Sequence, residues 1–304
     1  MTVPGVSRRP ARRVLAVALA VVVALAGIVV GVTLSMQVGG VHWVQVWSDS
    51  FTGPAGSGVN QRSWVYETGH GVFGTGEIET MTSSPGNVHL DGHGDLDITA
   101  ISQGTSWTSG RIKTQRTFRV PAGGELMVTA SIRQPDPAEG TGYWPAFWLL
   151  GPGLWPAHGE VDILEDVNGL DQHSGALHCG NLTERNPDGT SGPCHEPNGL
   201  GSAPQPCPGC QQGYHTYTVI IDLRDAAHQQ VRWYLDGQQF FSVSESRVGR
   251  AAWQSAFGYG FAIILDLAMG GYYPDAICHC TAPTTSTISG GTMSIQYVSV
   301  YQAS

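Results

Sequence analysis

Three carboxylates fall within six residues, in Glu160-Val161-Asp162-Ile163-Leu164-Glu165. Their neighbours are aliphatic and largely β-branched, which suits a buried strand. Side chains at i and i+2 share a strand face, so Glu160 and Asp162 point together. Glu165 would face the other way in a regular strand. One bulge residue between Asp162 and Glu165 returns it to the first face, and Val161 with one or both of Ile163 and Leu164 then packs inward. The two glutamate Cα atoms would stand roughly 13 Å apart at about 3.3 Å per residue. Side chains leaning over the shorter Asp162 can close that gap to about 5–5.5 Å, the spacing at which two carboxyl groups divide nucleophile from general acid/base in retaining glycoside cleavage. Asp162 between them would share a proton and tune their acidity. The competing uses are a solvated acidic edge or a calcium site, but the Gly-rich loop usual for calcium is missing here.

Aromatic residues upstream favour the catalytic use. In Gly142-Tyr143-Trp144-Pro145-Ala146-Phe147-Trp148, alternation puts Trp144 and Trp148 on one face, and Trp155 follows five residues before Glu160. Sugars present apolar C–H faces that stack on indole rings, so tryptophans beside paired carboxylates suggest a saccharide cleft. Core packing is the competing role for each ring taken singly.

The elements that must hold these groups read as strands. Leu96–Ala100, Leu126–Arg133, Tyr217–Leu223, Val231–Leu235, Gln239–Val243, Phe261–Met269 and Ser294–Tyr301 are short apolar or alternating runs bounded by turn residues. Asp236-Gly237 predicts a hairpin turn. With 41 Gly, 18 Pro, one lysine (Lys113) and 13% charged residues among 304, the composition argues against a helical protein. Hydrophobic content of 41% with nine Trp argues against disorder. The formal net charge is −9. Residues 1–40 hold four arginines and no acid, so the remainder carries 11 basic and 24 acidic side chains, a net of −13. Such a body suits a neutral substrate and excludes nucleic acid as a partner.

Val14 to Leu34 is a 21-residue run without charge behind Arg8, Arg9, Arg12 and Arg13. It predicts a hydrophobic helix, either a cleaved signal peptide or a signal anchor with its basic stub in the cytoplasm. Residues from about 41 onward are therefore expected outside the cell. All six cysteines (179, 194, 207, 210, 278 and 280) lie in that exported part, which favours up to three disulfides over zinc and leaves the pairing open. The Gly-, Pro- and Asn-rich stretch between Cys179 and Cys210 reads as a long stapled loop. No internal linker divides residues 41–304, and the strand spacing predicts one all-β sandwich or jelly roll.

The residues Glu160-Val-Asp162-Ile-Leu-Glu165 behind Trp144-Pro-Ala-Phe-Trp148 resemble glycoside hydrolase family 16, and most of all its laminarinase-type, endo-β-1,3-glucanase branch. Gly76–Glu79, Ser109–Ile112, Leu177–Cys179 and Ile263–Gly271 extend the likeness from about residue 47 to residue 301. The resemblance implies a concanavalin A-like β-jelly roll with a cleft across its concave sheet. It implies Glu160 as nucleophile, Glu165 as acid/base and Asp162 as their helper, in the longer acidic motif of the laminarinase branch. It places Trp144, Trp148, Trp155 and His178 around the scissile bond, with Arg111 and Glu77 as weaker cleft residues. The implied substrate is β-1,3-glucan or mixed β-1,3-1,4-glucan, cut by a monomer that needs no cofactor. Some relatives bind structural calcium away from the cleft, where Asp49 would contribute. Transglycosylation, another polysaccharide, and a non-catalytic glucan-binding module are the alternatives. Asp266 stands where Asn is frequent, Glu79 where Gln is frequent, and Cys278-His279-Cys280 replaces a Gly-rich loop.

Overall fold

The computed structural model describes residues 35–38 and 40–304. The hydrophobic helix expected over Val14–Leu34 lies outside them. Among the described residues no helix is long and apolar enough to cross a membrane.

Two nine-stranded antiparallel sheets face each other among the described residues, each with a main path of seven strands and two short strands paired beside it. The first runs Ser35–Val38, Val41–Asp49, Thr292–Ala303, Glu125–Arg133, His215–Asp222, Gln230–Leu235 and Gln238–Ser244 in spatial order. The second runs Leu200–Gly201, Gln172–His178, Glu160–Glu165, Tyr143–Leu150, Gly260–Met269, Arg111–Thr114 and Trp64–Tyr66. This is the sandwich that the short, evenly spaced strands predict. Every strand read from the sequence is present within two residues of its expected ends. The Asp236-Gly237 hairpin forms with both residues at positive φ, 49° and 76°, as a two-residue turn of that type requires.

Strand alternation divides each sheet into two faces. In Glu125–Arg133, the side chains of Leu126, Val128, Ala130 and Ile132 are wholly buried in the core between the sheets. On the second sheet Phe147, Leu149, Val161, Phe261, Ile263, Leu265 and Leu267 fill the same core. Their neighbours Trp144, Trp148, Glu160, Asp162 and Asp266 are thereby turned to the opposite, outer face. Core burial of the apolar set alone fixes which residues line that face, since a one-residue slip would bury the acids instead.

Helix is confined to Glu245–Val248, Arg250–Phe257 and Tyr272–Cys278 among the described residues. The last of these was not read from the sequence. Gly270 and Gly271, both at positive φ, turn the chain out of the strand Gly260–Met269, and Pro274 sits in the first turn, where its missing N–H costs nothing.

The cysteines pair as Cys179–Cys194, Cys207–Cys210 and Cys278–Cys280, with no free thiol among the described residues. The first ties the loop after His178 back onto the strand Gln172–His178, so the stretch read as a stapled loop is one.

Candidate active site

The acidic strand carries the expected bulge. Against Tyr143–Leu150, Trp148 pairs with Asp162 and Phe147 with Leu164, so Ile163 has no partner. The same break appears against Gln172–His178, where the register shifts between Asp162 and Glu165. Ile163 and Leu164 consequently both enter the core, at 1% and 0% exposure, and Glu165 returns to the face of Glu160 and Asp162. The strand is anchored from the far sheet as well: the Trp233 indole N–H donates to the Asp162 carbonyl at 2.7 Å. The ring passes so close to Gly175 that a Cβ there would lie 2.6 Å from it.

Tryptophans bind the acids at both ends. Trp144 Nε1 donates to Glu165 Oε1 at 2.9 Å, and Trp148 Nε1 donates to Asp266 Oδ1 at 2.7 Å. Trp155, 39% exposed, lies with its ring 5.7 Å from that of His178. His178 reaches the acids through Nε2, 3.3 Å from Asp162 Oδ2 and 3.8 Å from Glu160 Oε1. Its other nitrogen, Nδ1, is 2.7 Å from Glu196 Oε2. Arg111 is wedged between the rings of Phe73 and Trp148, at 4.2 and 4.8 Å from their centroids. Its Nε donates to Glu67 Oε2 at 2.7 Å, and Lys113 binds the other Glu67 oxygen.

So the structure gathers Glu160, Asp162, Glu165, Trp144, Trp148, Trp155, His178 and Arg111 on one outer surface. Glu77 is placed differently. Its carboxylate is taken up by the Thr75 backbone N–H at 3.0 Å and by the Thr75 hydroxyl, and it reaches Asp266 only as a nearby negative charge. Asp49 accepts from Phe51 N and from Trp64 Nε1, each at 2.9 Å, so its two oxygens are engaged in holding the protein together.

Burial sets the acidities. Glu160 and Glu165 are each pushed up to about 8, first by desolvation and next by the Asp162 charge, with His178 pulling both back. A carboxyl raised in this way keeps its proton at neutral pH, which fits Glu165 for general acid work; Glu160 meets the same burial and must give its proton up before it can act as a nucleophile. Glu160 still keeps 16% of its side chain exposed, so it can be reached from outside. Asp266 rises to about 6 by burial, against the pull of Arg111 and the Trp148 hydrogen bond. For His178, burial opposes the charge, but contacts with Asp162 and Glu196 outweigh it and raise the imidazole well above its usual value.

Two groups among the described residues bring three metal-type ligand atoms within 4.8 Å of one another: Cys207, Cys210 and His215, and Glu160, Asp162 and His178. In the first, the sulfurs are bonded to each other. In the second, both ring nitrogens of His178 already face carboxylates, Nε2 toward Asp162 at 3.3 Å and Nδ1 toward Glu196 at 2.7 Å.

Sequence reading did not single out Glu196, Glu67, Phe73, Tyr273 or Trp233. Tyr273 packs edge-on to Trp144 at 5.7 Å and feels the Glu165 charge. Lys113, two residues from Arg111 on one face, hinted at an acid such as Glu67. Glu196 lies in an irregular loop, where no periodicity announces it.

The chain has marked likenesses among known proteins. A family model described as "XgeA-like, catalytic GH16 domain" matches residues 87–196, which include the acidic strand. Glucan endo-1,3-beta-glucosidase A1 of Niallia circulans is 28% identical over 284 residues; these cover 84% of this chain but 37% of that protein, so the chain spans about a third of its length. The crystal structure of the endo-1,3-beta-glucanase of Streptomyces sioyaensis superposes with a TM-score of 0.79 at 41% identity, covering 86% of this chain and 97% of that one. That of the endo-beta-1,3-glucanase of Pyrococcus furiosus does so with a TM-score of 0.69 at 27% identity, covering 89% and 98%.

Proposed function

The chain belongs to glycoside hydrolase family 16, and from that membership we propose that it is a retaining endo-β-1,3-glucanase. Laminarin-like glucan is its substrate, with mixed β-1,3-1,4-glucan as a second to be tested. The observation that carries this reading is the one-residue bulge at Ile163, which brings Glu165 to the cleft face already occupied by Glu160 and Asp162.

In the first step Glu160 attacks the anomeric carbon as the bond to the leaving sugar breaks. Glu165 gives its proton to the departing oxygen. In the second step Glu165 takes a proton from water, which displaces Glu160 and releases the retained product. Trp144 holds one Glu165 oxygen at 2.9 Å and leaves the other for the proton. Trp148 and Trp155 offer rings to the sugars, and Arg111 steadies the Trp148 face at 4.8 Å. Neither step needs a cofactor.

The enzyme is further proposed to act as a monomer, in residues 41–304, outside the cell. It is either secreted or anchored to the membrane through Val14–Leu34. Three disulfides support an oxidising compartment.

The test is release of reducing ends from laminarin by the protein and by Glu160→Ser, with products separated from laminarin, lichenan, agarose and carrageenan. Laminarin oligosaccharides from the protein and none from the variant are expected. Substantial turnover by the variant, or products from agarose or carrageenan alone, would overturn the assignment.

A further inference from the structure

His178 stands in a row of acids. The Glu196 carboxylate is on one side, with Oε2 2.7 Å from Nδ1, and Asp162 and Glu160 are on the other, at 3.3 and 3.8 Å from Nε2. A neutral imidazole carries one proton and one lone pair. Either neutral tautomer would therefore aim a lone pair at a carboxylate. Glu196 is built for this contact. Its side chain has no exposure, and its second oxygen accepts from Cys179 N at 2.9 Å, so the carboxylate cannot swing away. The disulfide Cys179–Cys194 pins the chain two residues before it. Trp155 stands tilted beside the imidazole, ring centres 5.7 Å apart, and Gly199 passes so near that a Cβ there would be 2.8 Å from Cε1. The charged groups facing His178 are Glu160, Asp162 and Glu165 from the acidic strand and Glu196 from the stapled loop.

His178 Nε2 stands 3.8 Å from Glu160 Oε1, so a charge on the imidazole weakens the hold of Glu160 on its proton. We propose that Glu196 is a positioning residue that keeps the proton on His178, leaving Glu160 as the anion that attacks. The proposal rests on the assignment of Glu160 as nucleophile. Without the Glu196 charge, the state with the proton on His178 loses its 2.7 Å partner, whereas the state with the proton on Glu160 loses only a more distant repulsion, the smallest of the named influences on Glu160. The proton then moves to Glu160, and the nucleophile is silent until higher pH removes it. Bond formation at the anomeric carbon is unchanged in kind; only the pH at which Glu160 has an electron pair to give is altered.

Two measurements test this. The first needs no turnover: 15N NMR of the imidazole ring in the unmodified protein and in Glu196→Gln. Both His178 nitrogens are expected to be protonated at pH 7 in the unmodified protein, with the titration falling by about 1–3 units in the variant. A singly protonated His178 in the unmodified protein, or an unmoved titration in the variant, would overturn the proposal. The second is the pH profile of kcat/KM on laminarin. The acidic limb of Glu196→Gln should move up by about one unit, a tenfold loss on that limb that is recovered at higher pH. KM on the plateau should stay within about twofold. Equal loss at every pH would mark Glu196 as merely structural and would sink the idea. If the unmodified protein cleaves no glucan, the functional assignment fails, and the ring spectrum still decides the protonation of His178.

Discussion

Glu160 and Glu165 are chemically the same side chain, and the site separates them by what each one touches. Glu165 receives the Trp144 indole N–H at 2.9 Å, while Glu160 faces His178 at 3.8 Å. Glu165→Gln should lower turnover of laminarin about 10²–10⁴-fold, the range for loss of a general acid. An aryl glucoside chain with a good leaving group should be largely spared, because it needs no proton. Equal loss on both substrates would speak against the assignment. Asp162 offers a second handle. Its charge is the largest influence after burial in holding the Glu165 proton. Asp162→Asn removes that repulsion, so Glu165 ionises at lower pH and the alkaline limb of kcat moves toward neutrality. A limb that stays in place would show that burial alone sets the acid.

The Ile163 bulge is the element on which the acids depend, and Trp233 secures it from the opposite sheet through the Asp162 carbonyl at 2.7 Å. Trp233→Phe keeps most of the core volume but leaves that carbonyl unpartnered, a cost of about 1–3 kcal/mol. It should lower Tm by roughly 2–10 °C in a domain of this size, measured by calorimetry. Catalysis should fall more than folding, since the bulge loses its far-side anchor. A variant as active and stable as the parent would remove Trp233 from this role. The bulge was legible in the sequence because the spacing of Glu160, Asp162 and Glu165 conflicts with period two unless one residue is extra. Trp144 and Trp148 were legible by the same alternation. Glu196, Glu67 and Phe73 were not, because loops have no period and their reach is decided by tertiary closure. The helix Tyr272–Cys278 was missed for a similar reason: its seven residues are too few for a 3.6-residue pattern to show.

At the scale of the whole molecule, the abundant Gly and Pro became the turns of one sandwich, and the acidic balance proved uneven in its distribution. Several carboxyls are buried where they favour the proton, among them Glu79, pushed up to about 8 by desolvation, and Asp166, pushed up to about 7 by the same cause. Such groups bind a proton more tightly when folded than when unfolded. The stability they contribute is complete below the unfolded value near 4.5 for Glu79, is lost as pH rises toward about 8, and is level above that. Glu79 Oε2 accepts from Met269 N at 2.8 Å while Oε1 is buried without a partner, so an amide fits the same cavity. Glu79→Gln should therefore flatten the fall of Tm between pH 5 and 8 and raise Tm at pH 8. An unchanged slope would place the pH sensitivity elsewhere. The loop that bears Glu196 has its own dependence on surroundings, because it is held to the His178 strand by Cys179–Cys194. With its thiols reduced that clasp is open, and the site has every acid but no fixed partner for His178. The site is thus armed by oxidation of Cys179–Cys194. Treating the purified protein with a dithiol should reproduce the unarmed state, with activity falling at mildly acidic pH before the fold is lost.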